Sequence, residues 1–217
     1  IIDATCPVVT GIHRKVRNAQ SLGYDVVVIG HPGHQEVIGT IGQYVGDNGH
    51  IHVVLTEDDV KSLDIKSEKI FFATQTTLSV DETRKTVDTL KSKYPNIQGP
   101  RRDDTCSATQ ERQNAVRNLA RLCDLVIIAG SANSSNSNRL REVAEGEGTR
   151  AYLIDDSSQF DLKWLEGVSK VGLSAGASVP EYVVSEIIDF LMKNGGDKPY
   201  AVGDEAQNRA FPLPKDI

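Results

Sequence analysis

Two of the three cysteines in this 217-residue chain lie in closely similar surroundings. Cys6 occurs in the stretch DATCPVVTGIHRKVRN, and Cys106 occurs one hundred residues later in DDTCSATQERQNAVRN. A cysteine at a helix start meets free N–H groups and the positive end of the helix dipole, which favour a thiolate. A single such cysteine could be an unreactive residue near an N-cap, but two at equivalent points of a repeat predict a functional pair.

The third cysteine has a different setting. Cys123 lies seven residues after Val116 on the apolar face of a predicted helix and aligns with Gly23 in the other repeat, so we expect a core residue. An odd number of unclustered cysteines does not resemble the disulfide framework of a secreted protein. A reducing cytosol or an organelle matrix fits this usage better.

Equivalent loops of the two repeats carry different polar side chains. The loop GHPGHQEV contains His34 and Glu36, an ionisable pair in which Glu36 is a candidate proton donor, although an isolated surface glutamate is commoner. Its counterpart GSANSSNSN contains Ser134, Ser135 and Asn136. These neutral donors, together with N–H groups at a helix start, could bind phosphate. An ordinary polar turn with a Ser or Asn N-cap explains the second loop equally well.

Small hydroxyl residues follow the third strand of each repeat, in TQTT (74–77) and SAGAS (174–178). Such residues allow a ligand to approach the backbone closely. Thr76 and Thr77 have no other local role visible in the sequence. Ser178 is also the first residue of SVPE, a capping-box pattern that is matched by SVDE at 79–82, so we expect it to cap a helix and face a site.

Hydrophobic periodicity predicts the same order of elements in both repeats. The predicted helices are 8–22, 80–94, 108–122 and 179–193, and the predicted strands are 24–30, 50–55, 70–74, 124–130, 151–155 and 170–176. Alternating strands and helices indicate parallel sheets with right-handed crossovers, hence an α/β fold. We expect one domain of about 100 residues at 1–100, a second at 101–193, and a tail at 194–217 that packs on another domain.

The composition disfavours two classes of protein. The formal charge is −6, and no long basic tract is present, so nucleic-acid binding is not expected. No stretch approaches the 18 apolar residues of a membrane span.

The sole methionine is Met192, so we expect a segment to precede residue 1 in the parent protein.

Six motifs occurring in order are more specific than any one of them. DATCPVVTGIH, GHPGHQEVIGT, TQTTLS, DDTC, GSANSSNSNRL and AGASVPE together resemble 4-hydroxy-3-methylbut-2-enyl diphosphate reductase, an iron–sulfur enzyme of the non-mevalonate isoprenoid pathway. The resemblance runs from residue 1 to about residue 190, and the FPLPK tail is similar too. Gln35 stands where that family more often has proline, which affects loop rigidity and leaves His34 and Glu36 in place.

The resemblance implies a trefoil of three pseudo-equivalent α/β domains, each supplying one cysteine to a central [4Fe–4S] cluster. Cys6 and Cys106 would be two of the three ligands, and the iron without a protein ligand would take the substrate's hydroxyl. The family's first domain, which supplies the third cysteine and a further histidine, has no counterpart in this sequence. We therefore expect these 217 residues alone to be inactive or to hold iron poorly.

By the same resemblance, six residues surround the diphosphate: His34, Thr76, Ser134, Ser135, Asn136 and Ser178. Glu36 and Thr76 would be catalytic, with Glu36 helping to deliver protons so that hydroxide leaves as water. Electrons would come singly from ferredoxin or flavodoxin, and the products would be isopentenyl and dimethylallyl diphosphate. A bacterial cytoplasm or a plastid stroma is the expected location.

Two other functions fit the bare pattern. A cofactor-independent amino-acid racemase also pairs two α/β halves, and Cys6 and Cys106 would then act as acid and base on opposite faces of a carbon. A non-catalytic phosphate- or nucleotide-sensing module would leave both thiols without a role. Exchange of solvent deuterium into an amino acid's α-carbon would indicate the racemase. Ligand binding that survives alanine at both cysteines would indicate the sensing module.

Overall fold

The structure, a computed structural model, describes residues 5–47, 49–78, 80–100 and 107–203. Its contacts divide the chain into two compact units, one from Thr5 to Gln110 and the other beginning at Glu111. The boundary placed at residue 100 from the sequence lies shortly before this division and stays a prediction. None of the helices in the described ranges is long and apolar enough to cross a membrane.

The first unit is a three-stranded parallel sheet with helices on both faces. Its elements are α1 (Pro7–Ser21), β1 (Asp25–Ile29), α2 (Gln35–Ile41), β2 (Ile51–Val54), α3 (Glu57–Ser62), β3 (Ile70–Thr74) and α4 (Val80–Lys93). The strand order is β2-β1-β3, and β1 pairs in parallel with both neighbours. The α/β architecture predicted from the alternating strands and helices is confirmed.

The central strand of this unit is buried on both faces, which explains its unbroken apolar sequence. Because side chains alternate along a strand, Val26 and Val28 pack toward α1 and α2, whereas Val27 and Ile29 pack on the side of α3 and α4. Helices that cover both faces leave the carboxyl ends of the strands as the place where loops can build a site.

The second unit repeats this arrangement, and α5 spans the division between the units. Its elements are α5 (Ser107–Leu122), β4 (Leu125–Ala129), α6 (Ser135–Gly146), β5 (Arg150–Ile154), two 3-10 turns (Ser157–Gln159 and Leu162–Leu165), β6 (Val171–Ala175) and α7 (Glu181–Lys193). The order is β5-β4-β6, again parallel throughout. The repeat seen in the sequence is therefore a repeat of the fold.

The predicted capping box at 178–181 is wrong. Helix α7 begins at Glu181 after Pro180, which occupies the N-cap position in an extended conformation and makes no side-chain cap bond. A proline disfavours the helical conformation of the residue before it, so Val179 cannot extend the helix backwards to Ser178. The matching motif at 79–82 begins at Ser79, which lies outside the described residues.

After α7 the chain continues to residue 203 without further helix or strand. The predicted packing of the 194–217 tail falls largely on residues 204–217, which lie outside the described part of the chain. That prediction therefore stays untested.

A histidine at the start of β2 makes the stability of the first unit depend on pH. Burial lowers the pKa of His52 from its ordinary value of 6.5; nearby Asp25 opposes the shift, and His50 adds to it. Since the unfolded chain then binds protons more readily, stability is fully present above about pH 6.5 and falls as pH decreases below it. We expect the urea midpoint to drop between pH 7.5 and pH 5.5, and His52→Gln to reduce that drop. An unchanged pH dependence in the variant would contradict this.

Candidate active site

Cys6 stands at the N-cap position of α1 with its side chain exposed. Its backbone carbonyl accepts the first helical hydrogen bond from Thr10 N–H (2.9 Å), while the thiol makes no capping bond. Pro7 begins the helix, and no acidic residue lies in the first turn. The sulfur is therefore accessible at the start of a helix and is not used for capping.

Of the other two cysteines, the structure describes only Cys123. Cys106 lies outside the described residues. Cys123 immediately follows α5 and packs against the core formed by α5, α6 and β4. Burial raises the pKa of its thiol, and Asp124 raises it further, so Cys123 fits the structural role expected of it. No group of three His, Cys, Asp or Glu side chains able to hold a metal occurs in the described ranges.

His34 caps the short helix α2 that follows β1. Its Nδ1 accepts a hydrogen bond from Glu36 N–H (3.2 Å). In the neutral ring the proton must then lie on Nε2, which makes that atom a hydrogen-bond donor. The half-buried ring is therefore oriented by its own helix with its second nitrogen available for a ligand.

Glu36 and Thr76 are forty residues apart in the sequence and form a double hydrogen bond. Thr76 N–H donates to Glu36 Oε1 (2.7 Å), and Thr76 Oγ1 donates to Glu36 Oε2 (2.9 Å). Thr76 is only 5% exposed. The contact arises because β1 and β3 are adjacent parallel strands, so the loops after them start at the same edge. The two residues predicted to be catalytic are therefore in direct contact.

Two further residues at this edge, Gln75 and Thr77, are not among the residues predicted to be catalytic or to bind the diphosphate. Gln75 is 2% exposed, and its amide connects His31 with Thr77 through hydrogen bonds to both. Thr77, like Thr76, therefore has a local role that the sequence did not reveal. The one sequence signal for Gln75 is a glutamine directly after an apolar strand, at a position where a buried residue is expected.

In the second unit, the predicted phosphate loop starts α6. Ser134 is the N-cap, and its Oγ accepts from Ser137 N–H (3.3 Å) and from Ser137 Oγ (3.0 Å). The neighbouring Ser135 is half-buried in the first position of the helix. The N-cap interpretation of this loop is thus correct for Ser134, and it does not exclude ligand binding by the other residues.

Asn136 occupies the position equivalent to Glu36. Both polar atoms of its amide are buried, and neither has a hydrogen-bond partner in the described structure. Leaving a buried polar group unpaired costs about 1–3 kcal/mol, so such a group marks a place where a ligand or another polar partner belongs. Of the predicted phosphate-binding residues, Asn136 therefore has the clearest unmet hydrogen-bonding capacity.

Glycines allow Ser137 to fill the edge of the second sheet. Gly176 is the counterpart of Gln75, since each N–H donates to the last residue of the central strand, to Ala129 O and Ile29 O respectively. A Cβ at Gly176 or at Gly130 would overlap the Ser137 hydroxyl. Hence Ser137 and Asn136 lie close to the strand ends of the second unit. In the first unit, Gln75 occupies the equivalent place.

Ser178 lies two residues beyond Gly176 and is exposed. Since it caps no helix, its hydroxyl is not committed to the role expected from the sequence. Apart from the two cysteines, the predicted site residues thus divide into two sets. His34, Glu36 and Thr76 meet at one edge of the first sheet, and Ser134, Ser135, Asn136 and Ser178 lie after the equivalent strands of the second.

Comparison with known proteins identifies the family. Residues 1–192 match the family model described as LytB protein. A relative from Acinetobacter baylyi named 4-hydroxy-3-methylbut-2-enyl diphosphate reductase is 49% identical over all of this chain and 69% of its own length. The relative of the same name from Aeromonas salmonicida is also 49% identical, and the match covers 70% of it.

Solved structures agree with this match. The reductase structure from Plasmodium falciparum superposes with a TM-score of 0.83 at 35% identity, covering 88% of this chain and 59% of that one. A second structure, titled (E)-4-hydroxy-3-methyl-but-2-enyl diphosphate reductase, the terminal enzyme of the non-mevalonate pathway, gives 0.55 at 33% identity. It covers 88% of this chain and 67% of that one.

Proposed function

Because this chain belongs to the LytB protein family, we propose that its gene product converts 4-hydroxy-3-methylbut-2-enyl diphosphate into isopentenyl and dimethylallyl diphosphate. The chain is accordingly part of an oxidoreductase of the non-mevalonate isoprenoid pathway. The observation that carries this proposal is the match over the whole chain, at 49% identity, to relatives that bear the reductase name.

The donor chemistry at Cys6 fits an iron–sulfur cluster. Its exposed thiol, unused for capping, is the kind of ligand that such clusters take, and Cys106 is the proposed second ligand. Bound there, a [4Fe–4S] cluster would supply electrons and one Lewis-acidic iron. The chain spans 69% of its relative's length, and we place the third thiolate in the part not matched. These 217 residues alone should therefore show little turnover.

Each unit by itself carries neutral donors that we propose for the diphosphate. The buried amide of Asn136 can donate through Nδ2 to a phosphate oxygen and so gain the partner it lacks. His34 can donate from Nε2, since its Nδ1 already accepts from the helix. Ser135 and Ser178 would add hydroxyl donors, and Ser134 would hold the loop in shape through Ser137.

Glu36 is the proposed proton carrier. Loss of the substrate's hydroxyl as water, with a new C–H bond at the allylic carbons, consumes two electrons and two protons. A protonated Glu36 can give a proton to the departing hydroxyl, and Thr76 fixes the carboxyl group by its two hydrogen bonds. Thr76 Oγ1 can also rotate to pass a proton between substrate and Glu36, since a hydroxyl both donates and accepts.

Ferredoxin or flavodoxin is the proposed source of single electrons, and the bacterial cytoplasm or plastid stroma is the proposed location. Both environments suit an exposed thiol, such as that of Cys6, that must stay reduced.

An anaerobic turnover assay tests the function. The gene product containing this chain, reconstituted with iron and sulfide, is mixed with the diphosphate substrate and a chemical one-electron reductant. We expect isopentenyl and dimethylallyl diphosphate to form. No product from protein carrying its full iron would contradict the proposal, and α-carbon deuterium exchange of an amino acid by the same protein would indicate the racemase instead.

A further inference from the structure

We propose that Gln75 is a positioning residue of this site, whose side-chain amide ties the His31–Glu36 loop to the turn that carries Thr76. The role in catalysis rests on the proposed function of Glu36 and Thr76. The structural link itself rests on hydrogen bonds of the first unit alone.

Gln75 makes hydrogen bonds in three directions from a buried position. Its Oε1 accepts from His31 N–H (2.9 Å), and its Nε2 donates to Thr77 Oγ1 (2.8 Å). Its own N–H donates to Ile29 O (2.8 Å), which continues the sheet by one residue beyond β3. The amide therefore joins the start of the loop after β1 to the turn after β3.

This link adds a second attachment to the contact between Glu36 and Thr76. The loop after β1 is held to the turn at two points, by Gln75 near its start and by Thr76 near its end. With only the second contact, the loop could pivot about Glu36 and carry His34 with it. Two points of attachment fix both the carboxyl group and the imidazole relative to the strand ends.

The sequence makes room for this side chain at a specific glycine. A Cβ on Gly30 would lie 2.6 Å from Val37 Cγ2 and 3.0 Å from Gln75 Oε1, so a larger residue there would displace the amide. In the second unit the counterpart of Gln75 is Gly176, and Ser137 takes up the space. The amide link thus occurs in the unit that carries the ionisable pair, as expected if it positions that pair.

Gln75→Met in the gene product tests the proposal, because methionine keeps the length of the side chain and removes both hydrogen bonds. Misplacing a catalytic group by about 1 Å can cost on the order of 100-fold in rate. We expect kcat to fall by about that factor with a smaller change in KM. The loss of kcat should largely disappear when Gln75→Met is combined with Glu36→Gln, because both substitutions impair the action of the same carboxyl group. Additive losses, or an unchanged kcat, would overturn the role in catalysis.

A second measurement does not depend on enzyme activity. Amide hydrogen exchange on the gene product should be faster at His31 in Gln75→Met than in the wild type, and Gln75→Glu should restore protection by keeping an acceptor oxygen. Gln43→Met is the matched control, since the Gln43 amide donates to Gly39 O in the helix that precedes it (3.1 Å) and should leave His31 exchange unchanged.

The two measurements separate the possible failures. A wild-type gene product without reductase activity would refute the proposed function, and the exchange data would then decide the link by themselves. Exchange at His31 that is the same in Gln75→Met and wild type would overturn the proposal whatever the kinetics show.

Discussion

Glu36→Gln is expected to lower kcat by about 10²- to 10⁴-fold, the usual contribution of a positioned acid or base. Glutamine keeps the shape of the side chain and one oxygen for Thr76, but it carries no transferable proton. Its NH₂ group also faces one of the two Thr76 donors that now meet carboxylate oxygens. Steady-state kinetics of the reconstituted gene product measure the effect.

Glu57→Gln provides the matched control for this variant. Glu57 also accepts a hydrogen bond from a threonine, Thr89 Oγ1 (3.2 Å), but the contact is exposed and lies between α3 and α4. Its replacement should leave kcat within about twofold, since surface changes of this kind have small effects. Glu36→Gln with near wild-type kcat would refute the assignment of Glu36 as proton carrier.

Cys6→Ser is expected to abolish turnover and to remove most of the bound iron. A serine hydroxyl is far less acidic than a thiol, so it supplies a poor anionic ligand for iron at neutral pH. The exposed N-cap position tolerates serine well, and the helix should remain intact. Iron content, activity and thermal unfolding of the purified variant check the three parts of this prediction.

Cys123→Ser is the control for thiol loss in general. Cys123 lies in the other unit, packs against an apolar core and has a raised pKa, so it is not a candidate ligand. We expect full iron content and activity, with a modest loss of stability from placing a hydroxyl against that core. Equal iron content in Cys6→Ser and the wild type would show that Cys6 does not bind the cluster.

The strands and most helices could be predicted from the sequence because their signals are local. Strands β1 and β4 are buried on both faces. Because both faces are buried, every residue of these strands must be apolar or otherwise satisfied, which gives the unbroken apolar sequences. Helix α7 starts later than its capping motif predicts, because Pro180 disfavours a helical conformation of the residue before it.

The site was predictable in its location but not in its contacts. Parallel strands bring their carboxyl ends to one edge, so residues after β1 and β3 had to lie near each other. The bonds from Thr76 to Glu36 and from His31 to Gln75 connect residues about forty positions apart, and no local pattern announces them. Gln75 was overlooked for this reason, since its role exists only once the strands are paired.

The unpaired amide of Asn136 could not be inferred from the sequence either. An asparagine near a helix start usually satisfies itself within the turn, as Asn138 does by donating to Ala132 O and Ser134 O. Only the packing of α6 against the strand ends shows that Asn136 is buried without such a partner.

The most direct test of the proposed iron–sulfur cluster is the iron and acid-labile sulfide content of the anaerobically purified gene product, with its visible spectrum before and after the diphosphate is added. We predict about four irons and four sulfides per chain, loss of both in Cys106→Ser, and a spectral change when substrate binds. A colourless protein that takes up no iron after careful reconstitution would contradict the presence of a cluster and make the two cysteines candidates for acid–base chemistry instead.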